Sequence, residues 1–403
     1  MYVADPLTTI SLFTGAGGLD LGLEEAGFTT TVAVEIDKWA RATLEANRKS
    51  FRNPELAILD DVTTYTPAQI LAAAKLERGE AFLVAGGPPC QSFSTAGRRG
   101  SLGDPRGGLF KNYADVVEAA KPRFFVFENV RGLLSAAIKH RPLDRRGFDH
   151  APLDSEEEHG SAFQVVLNEL EERLGYQLVY GMVDAADYGV PQNRKRVLIL
   201  GSRDKEFSTR DLTNVIPPTH NGHWVTLGRA LNGLNGGAPE FLEYSPDRKR
   251  TLALVPAGQN WRFFRDHPDH GPEVAAKLMG GAWEADGGRV GFFRRLTWEK
   301  PSPTLPTSPI QKSTCLCHPE ETRPLSVQEY AAIQQFPPEY VFMGGTGQKY
   351  KQIGNAVPVG LGKVIGEGLL ATAGQRQPEG QVRLFEARTP YACAKVETYS
   401  PGG

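Results

Sequence analysis

The turn Gly86-Gly87-Pro88-Pro89-Cys90-Gln91-Ser92-Phe93-Ser94 presents one thiol directly after an apolar run. The two prolines fix φ ahead of the cysteine and the glycines relax the backbone before them, so the thiol stands on a defined loop start. Free cysteines are usually buried and inert; one displayed this way can serve as a thiolate nucleophile. Glu128, in Phe127-Glu128-Asn129-Val130, ends another apolar run. A carboxylate there needs a cationic partner or a proton, which admits either a structural ion pair or acid chemistry. In Gln192-Asn193-Arg194-Lys195-Arg196 two guanidiniums sit two residues apart at the start of a strand. Strand alternation then sends Arg194 and Arg196 to one face, where they can anchor a phosphate or buttress a carboxylate. Finally, Phe13-Thr14-Gly15-Ala16-Gly17-Gly18 follows the first apolar run, and Glu35 ends the next one. Glycines permit close backbone approach, and an acid about twenty positions on can accept from ribose hydroxyls. The glycines read GAGG rather than G-x-G-x-x-G, which favours a nucleoside cofactor without a pyrophosphate.

These groups must be held by a scaffold, and residues 8–140 supply its rhythm. Apolar runs at Ile10–Phe13 and Thr31–Ile36 alternate with helix-like stretches at Leu19–Ala26 and Trp39–Asn47, as in βαβ units with a parallel sheet. Further buried-strand candidates are Phe82–Ala85, Phe124–Phe127, Gln177–Met182 and Val197–Gly201, each ending near a residue with chemical potential. That placement suits an open α/β sheet, whose ligands lie beyond the carboxyl ends of its strands. Residues 139–160 read as an exposed polar insertion. From 205 to 293 the alternation stops and Gly, Pro, Trp and Arg dominate, which marks a second, less regular domain, with Trp261 and Trp283 in its modest core. Helical periodicity returns over 324–336 and again from Pro358 to Ala371.

Composition narrows the function. With 40% apolar and 23% charged residues, and no apolar run long enough for a bilayer, the chain is expected to be an ordinary globular protein without a membrane role. The segment MYVADPLTTISLF has neither the basic nor the apolar part of a secretion signal, so a reducing, cytoplasmic location is expected. Four cysteines form neither a disulfide framework nor a paired zinc pattern, and Cys317-His318 alone makes no metal site. A formal net charge of −2 excludes coating of nucleic acid over the whole surface but leaves room for a basic cleft.

In order, SLFTGAGGLDLGLEEAGF, VEIDKWA, GGPPCQSFS, FENVRGLL, QNRKRVLILGSR, RPLSVQEYAAIQQFP and KQIGNAVPVGL closely resemble the motifs of the bacterial cytosine-5 DNA methyltransferases of restriction-modification systems. Arg295-Leu296-Thr297 with Pro301, Pro303 and Thr304 resembles a further family motif. The resemblance spans residues 8–366, with gaps at about 139–160 and 205–293; in this family the longer gap is where target recognition resides.

The resemblance implies an α/β, Rossmann-like S-adenosylmethionine-dependent fold, a mostly parallel twisted sheet with helices on both faces, plus a smaller irregular recognition domain. The expected division is 1–204 for catalysis and cofactor binding and 205–335 for target recognition. Residues 336–374 would return to complete the cofactor pocket, and 375–403 would form a loosely held tail. It implies methyl transfer to carbon 5 of a cytosine flipped from duplex DNA, with Cys90 as nucleophile, Glu128 as acid, Arg194 and Arg196 orienting cytosine and Glu128, and Gln192 in the pocket wall. For S-adenosylmethionine it implies Phe13, Gly15 and Gly17 at the methionine part, Glu35 on the ribose, Ile36 against the adenine and Asp61 at its amine. Asn355 and Val357 would complete that pocket, and Pro88 would touch both substrates. No metal is expected.

For DNA, Ser94 and the basic, glycine-rich loop with Arg98 and Arg99 are expected to close on the backbone. Arg248, Lys249 and Arg250 are expected to serve phosphates, while Arg262, Arg265, Arg289 and Arg294 are candidates for guanine edges. The expected partners are double-stranded DNA and, functionally rather than as a stable complex, a cognate restriction endonuclease; the expected state is a monomer, nucleoid-associated when on DNA. Two other readings are an RNA cytosine-5 methyltransferase acting on transfer RNA, and a catalytically silent DNA-binding relative.

Overall fold

The computed structural model describes residues 6–89, 108–139, 141, 151–234, 238–284, 291–374 and 398–399. They divide into two compact units: one comprises residues up to Asp184 with Lys195–Pro218 and 361–374, the other Ala185–Arg194, Thr219–Gly360 and 398–399.

The first unit is built on a seven-stranded sheet. Its strands are β1 (Thr8–Leu12), β2 (Thr29–Val34), β3 (Ala57–Leu59), β4 (Leu83–Gly86), β5 (Phe124–Val130), β6 (Gln177–Asp184) and, after the two-residue β7 (Gln192–Asn193) of the other unit, β8 (Lys195–Ser202). The order is β3-β2-β1-β4-β5-β8-β6. β1 to β5 run parallel, whereas β8 lies antiparallel to both β5 and β6. The central strands are apolar throughout because both faces are covered; Phe124, Phe125, Val126 and Phe127 are all at most 2% exposed. The helices between them are α1 (Gly18–Glu25), α2 (Lys38–Ala46), α3 (Pro67–Ala74), α4 (Gly108–Ala120) and α5 (Ser161–Asn168). Local chemistry starts two of them. Asp37 caps α2 by accepting from Trp39 N and Ala40 N, and Thr66 with Gln69 forms a capping box on α3 with Pro67 in its first turn.

Strand order reverses between β1 and β4, the switch point at which open α/β sheets bind ligands. The glycine loop leaves the carboxyl end of β1, and the Gly87-Pro88-Pro89 segment leaves that of β4. The expected alternation of strands and helices is observed. The polar 139–160 insertion is cross-linked by the ion pairs Lys139–Glu156 and Arg141–Glu157.

Among its described residues the second unit has short elements: β7, β9 (Trp224–Val225), β10 (Ser302–Pro303), α6 (Leu227–Leu231), α7 (Pro246–Leu254), α8 (Arg262–Asp266), α9 (Pro272–Met279), α10 (Val327–Ile333) and α11 (Thr346–Asn355). β7 pairs parallel with β10. A helix α12 (Val359–Thr372) then carries the chain into the first unit. Near the carboxyl end, Thr398–Tyr399 pairs antiparallel with β9, so these two residues of the expected tail are tied down. Part of this unit's core is aromatic: Trp261, Phe263, Phe264, Phe292 and Phe293 are buried together, and Trp283 packs on them. α10 begins with a capping box of Ser326 and Glu329, which fixes the helix that periodicity predicts over 324–336.

Candidate active site

In the first unit, Glu128 lies one residue before the last of β5. Arg196, paired across the ladder with Val130, reaches diagonally to it, Nε to Oε1 at 2.8 Å, with both side chains about one-eighth exposed. The other carboxylate oxygen abuts Gly87, where a Cβ would stand 2.8 Å from Oε2. Asn129 Nδ2 donates to Pro88 O at 3.0 Å. Glu128 and Asn129 therefore fix two successive residues of the segment that leads to the thiol. Pro88 is buried and Pro89 exposed. Cys90 itself, with Ser94, Arg98 and Arg99, lies outside the described residues.

The glycine loop after β1 has three residues with positive φ: Phe13 (56°), Gly15 (59°) and Gly17 (79°). Such a conformation is costly for phenylalanine and is held only where the surroundings demand it. The Gly15 N–H donates to Glu35 Oε2 at 2.7 Å, and the Asp37 N–H donates to Glu35 Oε1 at 2.7 Å. Glu35 thus locks the turn to its own strand end while each oxygen keeps a lone pair for a further donor. Burial raises its pKa above the ordinary glutamate value, opposed by those two backbone hydrogen bonds. Arg41 Nη1 donates to both Glu35 O and Ile36 O at 2.8 Å, which fixes the backbone between them. Ile36 is 67% exposed, a large aliphatic side chain with nothing over it. Asp61 Oδ1 accepts from Thr63 N at 2.9 Å and Thr63 Oγ1 at 2.8 Å, a local turn that orients its carboxylate. A carboxylate with lone pairs to spare, a glycine backbone open to close approach and a bare aliphatic surface fit an adenosine-bearing cofactor.

The strand reading of Gln192 to Arg196 is corrected: β8 begins at Lys195, so Arg194 lies outside it, in the second unit, where it donates to Gly354 O and Asn355 O. Strand alternation applies only when both residues are in the strand. Gln192 is fully buried and its amide is engaged by Gln334 and by Leu305 N.

Within the second unit the basic residues separate. Arg248 is buried, donates to Ile310 O and Gln311 O, and stacks on Tyr244 at 4.8 Å, so its expected phosphate role is corrected to a structural one. Lys249 and Arg250 are exposed, near Glu243 and paired with Asp247 respectively. Arg262 and Arg265 are exposed, with the Arg265 guanidinium 5.1 Å over Trp261. Arg294 is half-buried, and desolvation lowers its pKa. Asn355 is exposed and Val357 half-buried. Arg289 lies outside the described residues.

Asn129 is legible only as part of a quoted motif and Arg41 only within the helix-like stretch Trp39–Asn47, neither with a role; a polar residue one or six positions from a strand-end carboxylate is the available signal. Another is Arg295, 5% exposed, whose five N–H groups reach Val255 O, His318 O, Glu321 O, Leu252 O and Thr322 Oγ1 at 2.7–3.1 Å. It ties α7 to the 318–322 turn. Both Cys315 and Cys317 nearby are buried, and burial pushes the Cys317 thiol up to about 12, so that thiol is inert. Among the described residues no group of three or more His, Cys, Asp and Glu is placed to hold a metal, and no helix is long and apolar enough to cross a membrane.

A glycine loop at the switch point and a Gly-Pro-Pro segment held at a strand-end acid define a class of group-transfer site. The C-5 cytosine-specific DNA methylase family matches residues 7–371, and the chain belongs to it, as an S-adenosylmethionine-dependent DNA cytosine-5 methyltransferase. It is 37% identical over 367 residues to the Type II methyltransferase M.Sau96I of Staphylococcus aureus, covering 89% of this chain and 74% of that one. It is 36% identical over 367 residues to the Type II methyltransferase M.PspPI of a Psychrobacter species, covering 90% and 78%. A crystal structure described as a DNA modification methyltransferase of an Escherichia coli prophage shares the fold, with a TM-score of 0.62 at 22% identity over 92% of this chain and 100% of that one.

Proposed function

We propose that Cys90 is the nucleophile of this methyltransferase and Glu128 its acid, acting on a cytosine extruded from duplex DNA. The observation that carries this reading is the double fastening of Gly87 and Pro88, the residues ahead of Cys90 in the chain, to the end of β5: Gly87 against the Glu128 carboxylate and Pro88 O held by Asn129. Carbon 5 of cytosine is a weak nucleophile. Addition of the Cys90 thiolate to carbon 6 pushes the ring electrons toward carbon 5, while Glu128 supplies a proton or hydrogen bond at ring nitrogen 3 and accepts from the exocyclic amine. Arg196 holds the Glu128 carboxyl in place through Oε1. Once carbon 5 has taken the methyl group, with S-adenosylhomocysteine as the leaving group, loss of the carbon 5 proton to solvent returns an electron pair to the ring and expels the thiolate.

S-adenosylmethionine supplies an electrophilic methyl group on a sulfonium. Phe13, Gly15 and Gly17 are assigned to its methionine part, Glu35 to the ribose, Ile36 to the adenine face and Asp61 to the adenine amine; Pro88, Asn355 and Val357 are assigned further contacts. On the DNA side we assign Lys249 and Arg250 to phosphates and Arg262, Arg265, Arg289 and Arg294 to target recognition, with Ser94, Arg98 and Arg99 on the backbone. The physiological role is protection of host DNA opposite a restriction endonuclease of the same specificity, by a cytoplasmic, monomeric enzyme.

The test is transfer of tritium from methyl-labelled S-adenosylmethionine to duplex DNA and, separately, to transfer RNA. Label in DNA with wild type, none with Cys90→Ala, and equal DNA binding by both is the expected pattern. Label in RNA alone, or undiminished label in DNA with Cys90→Ala, overturns the proposal.

A further inference from the structure

The last carbonyls of an α-helix have no partner within the helix and need donors from elsewhere. At the end of α11 four successive carbonyls find them in two side chains. Gln334 Nε2 donates to Ile353 O at 2.6 Å and to Ala356 O at 3.0 Å. Arg194 Nη1 donates to Gly354 O at 3.1 Å and Nη2 to Asn355 O at 3.3 Å. Gln334 is itself oriented: its Oε1 accepts from Gln192 Nε2 at 2.9 Å, and Gln192 Oε1 accepts from Leu305 N at 3.1 Å. Gln192 and Gln334 are 0% and Arg194 1% exposed. The opposite side of the same turn is pinned sterically, because a Cβ on Gly354 would stand 2.6 Å from Pro306 O. Yet the Asn355 side chain is exposed and that of Val357 half-buried. The backbone is held while the two side chains stay available.

A buried guanidinium is expensive unless its donors are used. Here the fork of Arg194 meets two adjacent carbonyls, and its charge sits at the negative end of the α11 dipole. We propose that Arg194 and Gln334 are positioning residues that clamp the 353–357 turn in its cofactor-binding form, and that Arg194 does not orient the cytosine. This rests on the assignment of Asn355 and Val357 to S-adenosylmethionine.

Binding of S-adenosylhomocysteine to the DNA-free enzyme, by titration calorimetry, tests it alongside steady-state kinetics and thermal unfolding. Arg194→Ala and Gln334→Leu should each weaken S-adenosylhomocysteine about tenfold or more, the scale of a lost charged or buried hydrogen bond. The KM for S-adenosylmethionine should rise in parallel, with the KM for DNA and kcat at saturation little changed. Arg194→Lys, which keeps the charge but cannot fork across two carbonyls, should give an intermediate loss; it decides the matter if the Ala variant fails to fold. Unchanged S-adenosylhomocysteine affinity with a fallen kcat or a raised KM for DNA overturns the clamp and returns Arg194 to the cytosine. Failure of the wild type to bind S-adenosylhomocysteine would instead overturn the underlying cofactor assignment, and the clamp with it.

Discussion

A Cβ on Gly87 would stand 2.8 Å from Oε2 of Glu128 and 3.1 Å from its carbonyl oxygen, so the residue three before the thiol and the strand-end acid occupy adjoining space. No side chain fits at 87 without moving the carboxyl group. Gly87→Ala should therefore displace Glu128 from Arg196 and lower kcat by about a hundredfold, the scale of one lost transition-state hydrogen bond. Affinity for S-adenosylhomocysteine should be retained. Single-turnover methylation alongside equilibrium binding checks this, and an unaltered rate would show that Glu128 has no fixed place in the reaction.

Ile36 is a bare aliphatic side chain beside a braced turn. Ile36→Ala should weaken S-adenosylhomocysteine by about fivefold to tenfold, roughly 1 kcal/mol of lost apolar contact. Because the residue is exposed, unfolding free energy should stay within about 0.5 kcal/mol of wild type. Urea melts and calorimetry separate the two effects; a stability loss without an affinity loss would contradict the adenine assignment.

Much of the first unit is legible from the chain. Strands buried on both faces must be apolar throughout, so Phe82–Ala85 and Phe124–Phe127 announce themselves; the observed β4 is shifted by one residue, and β5 has the same start and runs three residues further. The insertion of β8 antiparallel between β5 and β6 is not legible, because strand order depends on long-range pairing that leaves no local mark. The same holds for Arg194, whose partners lie some 160 residues further along the chain. Arg248 was misread for a different reason. A basic triplet suggests a solvated surface, but helical spacing puts Arg248 on the same side of α7 as the buried Thr251 and Leu252.

That correction has a measurable consequence. Arg248→Ala should destabilise the second unit by about 2 kcal/mol or more, since the carbonyls of Ile310 and Gln311 lose a buried charged donor and Tyr244 its stacked cation. Lys249→Ala and Arg250→Ala should leave stability nearly unchanged but each flatten the salt dependence of DNA binding by about one unit of slope. Salt-titrated DNA binding with urea unfolding distinguishes them, and a reduced salt slope for Arg248→Ala at full stability would restore its phosphate role.

Asp20 and Glu24, both buried on α1, add a pH dependence to stability. Burial pushes Asp20 from 3.8 up to about 6, against a weaker pull from Ser11, and Glu24 from 4.5 up to about 7, against hydrogen bonds from Thr30 and Arg52. A folded-state pKa above the unfolded one means that the folded form holds the proton longer. The contribution of Asp20 is therefore complete below about pH 4 and lost as pH rises through about 6. Asp20→Asn should match wild type at pH 4 and exceed it at pH 8 by up to about 3 kcal/mol, at 1.36 kcal/mol for each pKa unit. Urea unfolding at the two pH values tests the sign, and equal or lower stability of the variant at pH 8 would contradict it.

The central claim is that Cys90 bonds to a flipped cytosine in duplex DNA during methyl transfer. Duplex DNA carrying 5-fluorocytosine blocks the last step, because carbon 5 has no proton to lose once methylated. Incubation with methyl-labelled S-adenosylmethionine should give a denaturation-resistant protein–DNA adduct that maps to the Cys90 peptide and carries the label. Methylation of ordinary duplex DNA with no adduct on the fluorinated duplex, or an adduct at any other residue, would contradict the account.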